Sequence, residues 1–93
     1  MLLIRRVVGQ SMSPSLRHGQ LVVGLRWLLK PARGRVIILE HDGREKIKRV
    51  ASNETTRLYV LGDNPDASTD SRTFGWVPAS ALRAVVIWPR LRS

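Results

Sequence analysis

The sequence predicts one small, mostly β domain with little helix over residues 1–93, and three observations predict it. Ninety-three residues with 43% hydrophobic content can bury one core but not two. The apolar runs are short and rich in β-branched residues. Turn-forming residues interrupt those runs at close intervals.

Taken in order, "MLLIRRVV" offers four residues before Arg5 and Arg6, far short of a signal-peptide apolar region. No segment approaches the roughly 20 apolar residues of a spanning helix. "GQSMSPSL", residues 9–16, cannot pair regularly in a sheet, because Pro14 lacks an N–H and Gly9 tolerates backbone shapes other residues avoid. "RHG" and "ARG" are turns before strands. Strands are expected at residues 20–25, 35–40, 46–52, 57–62 and 82–89. "HDGRE" between the second and third is a hairpin turn, since Asp-Gly adopts the positive φ angles of a type I′ turn. "VPASAL" forms one short helical turn with Pro78 near its start. In "LRWLLKPAR", residues 25–33, Trp27 and its leucines sit among Arg26, Lys30 and Arg33. That fits peripheral contact with a membrane surface, and equally a loop that packs its Trp on the domain.

Sixteen Lys and Arg against seven Asp and Glu give a net charge of +9, which by itself points to nucleic acid, anionic lipid or an acidic protein. The basic residues are scattered from Arg5 to Arg92, so no single element is a nucleic-acid-binding face. A non-enzymatic nucleic-acid module would also need stacking aromatics. Of the few aromatics present, Phe74 and Trp76 fall inside a motif of another kind. Without cysteine there are no disulfides and no thiolate metal ligands.

Ser11 sits on a loop or strand end, where a hydroxyl becomes a nucleophile only if a base takes its proton and donors stabilise the oxyanion. His18 and His41 lie in turns that need no catalytic explanation. Lys46 and Lys48 share one face of a strand, opposite Ile47 and Arg49, and composition alone would read them as an exposed edge.

"GQSMSPSL", "KRV" and "GDNPDASTDSRTFGWVP" together resemble the signal peptidase I family of Ser-Lys proteases. The three boxes stand in family order and span residues 9–78. The resemblance implies a signal peptidase/LexA-type catalytic core of coiled β-sheets. It makes Ser11 the nucleophile, with Met12 and Pro14 completing its box, and Lys48 the general base. Ser68 is the serine that orients this lysine, and Asp70 and Arg72 are the ion pair bracing the third box. Gly62, Asp63 and Asn64 shape a turn, and Ser71, alternating along an extended segment, points away from Ser68. Gly9 stands where some relatives carry a hydroxyl that assists the oxyanion hole.

A lysine base working near neutral pH needs its pKa lowered from about 10.4 to about 7 to 8, which costs roughly 3 to 5 kcal/mol. Burial against Met12 and Val50 would supply this, and Ser68 would hydrogen-bond the amine without adding charge. Asp63, Asp66 and Asp70 are accordingly expected to point away from Lys48, with Arg72 as the partner of Asp70.

The small size, the "GDNPDASTDSRTFG" wording and the lack of an anchor before Ser11 are most similar to the small actinobacterial nickel-type superoxide dismutase maturation proteases. That resemblance implies a serine endopeptidase that removes the N-terminal extension of a dismutase precursor. It needs no cofactor or metal of its own and is expected in the cytoplasm, peripheral to the inner membrane face at most. Three alternatives remain: a general signal peptidase acting at the membrane surface, a LexA-type self-cleaving relative, and the basic nucleic-acid module. The Gly-Asp-Asn box and the shortness of residues 1–8 speak against the self-cleaving relative.

Overall fold

The computed structural model describes residues 1–27 and 29–91. Leu28, one of the leucines of the interfacial stretch, and Arg92, the end of the basic scatter, lie outside them. Seven strands form one antiparallel sheet: β1 (Leu2–Arg6), β2 (Leu21–Leu25), β3 (Val36–His41), β4 (Arg44–Glu54), β5 (Arg57–Leu61), β6 (Val77–Pro78) and β7 (Leu82–Trp88), in the order β1-β2-β7-β3-β4-β5-β6. All five expected strands are present. The β3–β4 hairpin turns through Asp42 and Gly43, both at positive φ, as the Asp-Gly pair predicts.

The central strands are buried on both faces. Val36 and Ile38 of β3 join Met12, Leu16, Val22, Ala84 and Val86 in one apolar cluster. The alternate residues Ile37 and Leu39 join Val50, Leu58, Val60 and Val85 in the other. A period of two thus sends neighbouring residues into two cores, which is why this strand reads as a continuous apolar run. The sheet curls so far that its edge strand β1 meets β4, four places away in the order, through paired hydrogen bonds from Arg5 Nε and Nη2 to the Glu45 carboxylate at 2.6 and 3.2 Å.

Three elements depart from the sequence reading. Leu2–Arg6 is a strand, edge-paired to β2, with the apolar side chains of Leu2 and Ile4 left exposed. Ser71–Phe74 is a single helical turn, capped by the Asp70 side chain accepting from the Arg72 N–H. Four residues are too few for a helical periodicity to show in the sequence. Val77–Pro78 adds a short strand beside β5, and the expected turn after it is a 3-10 helix at Ala79–Ala81. Among the described residues no helix is long and apolar enough to cross a membrane.

Candidate active site

Ser11 follows β1 on a tight loop, and Lys48 lies midway along β4. The two line one cleft of about 450 Å³, together with Arg5, Arg6, Met12, Arg44, Lys46 and Thr69. Its walls are strand edges. β1 is bonded only to β2. Over Arg44–Lys48, β4 is bonded only to β3, because its pairing with β5 begins at Arg49.

Lys48 is 5% exposed. Burial pushes its ammonium below the ordinary value of 10.5. The Asp70 charge opposes that shift, and the cations of Lys46 and Arg72 reinforce it. Lys48 Nζ donates to Ser68 Oγ at 3.2 Å, and Ser68 Oγ donates to Asp70 Oδ2 at 2.8 Å. Ser11 and Lys48 share the cleft without a direct hydrogen bond; the hydrogen bond of the lysine goes to Ser68.

Asp70 is buried and accepts from the Gly62 N–H, Ser68, the Arg72 N–H and the Arg72 guanidinium. Burial alone would raise its carboxyl pKa, but Arg72, the Gly62 amide and Ser68 together hold it far below the usual carboxylate range. Arg72 is thus the partner expected of Asp70. The expectation that Asp70 would stand clear of Lys48 is corrected: one hydroxyl separates them, because Arg72 compensates the carboxylate charge on its other side.

The Gly-Asp-Asn box clamps the serine loop rather than merely shaping a turn. The Asn64 N–H donates to Ser11 O at 2.8 Å, and Asn64 Nδ2 donates to Gln10 O at 3.0 Å. The Asp63 N–H contacts Met12 Sδ at 3.4 Å. The Asp63 carboxylate accepts from Ser15 Oγ at 2.6 Å and from Arg49 Nε and Nη2 at 2.9 and 2.8 Å. Arg49 beside it holds this carboxyl below its ordinary value despite partial burial. Gly62 is needed for space: a Cβ there would run into the Ser68 hydroxyl and stand 2.7 Å from Ser11 O.

Ser71 points away from Ser68 and the lysine, as expected, but from a helical turn rather than an extended segment. It opens a helical turn and is buried, and its Oγ accepts the Val60 N–H at 2.8 Å, so it ties that turn to β5. Ser15 and Arg49 were missed as members of the site. Each stands within a box, but only the fold brings Asp63 to both. Pro14 closes the serine loop. Gly9 takes φ 84°, and its N–H donates to His18 Nδ1 at 2.8 Å. His18 therefore braces the loop, and His41 stacks on Phe74 with ring centroids 4.0 Å apart. Neither histidine lines the cleft; both lysines do.

A family model of peptidase S24-like proteins matches residues 2–75, a span from β1 through the Ser71–Phe74 turn. The chain belongs to the peptidase S24-like family. Every residue of the cleft and of the Ser68–Asp70–Arg72 chain lies inside the matched span. Membership places this S24-like protein among serine peptidases of the LexA-type class, in agreement with the signal peptidase/LexA-type core that the sequence leads one to expect. No curated protein matches the chain.

Proposed function

We propose that this S24-like protein is a serine endopeptidase with a Ser11–Lys48 dyad, cutting an N-terminal extension from a precursor protein. The observation that carries the reading is Lys48, a buried lysine with a lowered pKa in the same cleft as Ser11, hydrogen-bonded to a hydroxyl rather than a carboxylate. A neutral amine there accepts the Ser11 proton as Oγ attacks the scissile carbonyl. Lys48 then hands that proton to the leaving amine, and water attacks the acyl-serine ester with Lys48 again as base. Ser68 orients the amine. The Ser11 N–H, engaged by no described residue, is available to the oxyanion.

The two unpaired strand edges flanking the cleft fit an extended peptide, which would add main-chain hydrogen bonds to both rims. The Ser-Met-x-Pro, Lys-Arg-Val and Gly-Asp-Asn boxes favour the signal-peptidase type of processing, and the resemblance of the chain's small size and "GDNPDASTDSRTFG" wording to the nickel-type superoxide dismutase maturation proteases makes that precursor the proposed substrate. Incubating the purified protein with that precursor, followed by mass spectrometry of the new N-terminus, tests the reading. Release of the extension by the wild-type chain, but not by Ser11→Ala or Lys48→Ala, is expected. Intact precursor throughout would remove this substrate.

A second reading, a general signal-peptidase-like enzyme at the membrane surface, is favoured by one observation. Leu2, Ile4, Trp27 and Trp88 are all exposed, beside the basic Arg26. Flotation with anionic liposomes, lost in Trp27→Ser, would support it.

A further inference from the structure

The cleft carries charge that the peptidase chemistry does not use. Glu45 is its one carboxylate among the lining residues, and both its oxygens are taken by Arg5. The other cations lining the cleft, Lys48 aside, have no carboxylate partner among the described residues. Arg6 donates to the Gly19 carbonyl, and Lys46 Nζ lies 3.0 Å from His41 Nδ1 and 4.7 Å from the Phe74 ring centroid. Arg44 is exposed and has no side-chain partner among the described residues.

The placement of these cations is regular. Arg44, Lys46 and Lys48 alternate on β4 and so project to the same side. At about 3.4 Å per residue, Lys46 stands about 7 Å and Arg44 about 14 Å along the strand from Lys48. A substrate strand laid against the open edge of β4 has the same repeat. Its alternate side chains therefore meet Lys46 and Arg44 when its scissile bond is at Ser11 and Lys48.

We infer that the cleft selects acidic peptide segments, with Lys46 and Arg44 as specificity residues for carboxylates two and four residues from the scissile bond, on the side that runs along β4 toward Arg44. The position-specific part rests on the Ser11–Lys48 reading; the preference of the cleft for an acidic strand does not. Exposed charge pairs are individually weak, so two in register amount to a preference of about tenfold rather than an absolute requirement. The preference should fall as salt rises.

Binding and cleavage are measured separately so that the two readings can fail separately. For binding, the Ser11→Ala full chain is titrated with a labelled (Glu-Val)4 peptide and with (Gln-Val)4. The glutamate peptide is expected to bind about tenfold tighter. Arg44→Glu should remove most of that difference, while Arg33→Glu, the same charge change on an exposed residue outside the cleft, should leave it. Equal binding of the two peptides would overturn the inference. So would a preference that Arg33→Glu reduces as much as Arg44→Glu, or tighter binding of a single-stranded DNA of equal charge. For cleavage, the wild-type chain is given a peptide library randomised on both sides of an Ala-Ala bond. Products enriched in Asp and Glu at the second and fourth positions on one side are expected. Cleavage with no acidic enrichment would overturn the inference and leave the peptidase reading standing. Selective binding by Arg44 with no cleavage at all would uphold the acidic cleft and overturn the Ser11–Lys48 assignment.

Discussion

Lys48 and Asp70 are joined through a single hydroxyl. The ammonium donates to Ser68 Oγ, and that hydroxyl donates onward to Asp70 Oδ2. A buried carboxylate so close to the candidate base would hold a proton on it, and the Asp70 charge does act on Lys48 in that direction. Arg72 counters it in two ways, as a cation that lowers Lys48 directly and as the guanidinium that neutralises Asp70.

Replacing Arg72 with Gln removes both effects with one sign. The ammonium form of Lys48 becomes easier to keep, so its pKa rises toward 10.5 and the alkaline-rising limb of kcat/KM moves to higher pH. A profile measured from pH 6 to 10 checks this. A shift toward lower pH would show that Arg72 acts on the site in some other way.

Ser68 and Ser71 should separate cleanly. Ser68→Ala removes the hydroxyl that orients Lys48 and should lower turnover by about 10- to 10³-fold while leaving the fold intact. Ser71→Ala orphans the buried Val60 N–H and should cost about 1 to 3 kcal/mol of stability, with turnover near wild type in the molecules that remain folded. Urea unfolding and single-temperature turnover of both variants read the two effects. Loss of turnover in Ser71→Ala at full stability would reverse the assignment.

The two serines also mark where sequence reasoning stops. Short β-branched runs broken by turn residues, the Asp42-Gly43 turn and the three boxes are local signals, and they point to the sheet and to Ser11, Lys48 and Ser68 from the sequence. Ser71 points away from Ser68 for a reason alternation does not supply, because Asp70 caps a helical turn at that point where an extended segment was expected. β1 was missed because Leu2 and Ile4 alternate with Leu3 and Arg5 on a strand whose partner lies nearly 20 residues away. The clamp of Asp63 on Ser15 and Arg49 joins residues 48 and 14 positions apart, a relation that no spacing rule encodes.

Gly62→Ala tests that clamp from the other side. Its new Cβ has no room between the Ser68 hydroxyl and the Ser11 carbonyl, so the serine loop and the lysine's partner must move apart. Overpacking of this kind costs about 1 to 3 kcal/mol. Because both displaced groups belong to the site, turnover should fall by more than the stability loss accounts for. Thermal unfolding paired with kcat at a temperature where the variant is fully folded distinguishes the two. Wild-type turnover in a destabilised but folded variant would detach Gly62 from the site.

Lys48 itself should be a place where function and stability oppose each other. Its pKa is lower in the folded chain than in the unfolded one, so between those two values the unfolded state binds more protons. Stability therefore rises with pH from the folded pKa up to about 10.5, and the cost of holding the buried ammonium is fully present below that window. Lys48→Met keeps the length of the side chain against Met12 and the β4 wall and removes the charge. It should abolish peptide cleavage, raise stability near neutral pH by about 1 kcal/mol, and flatten the rise of stability with pH. The difference in unfolding free energy between wild type and Lys48→Met, followed by urea titration from pH 6 to 10, should shrink steadily as pH increases. A constant difference across that range would mean that Lys48 carries an ordinary lysine pKa, and the case for it as the base would fall with it.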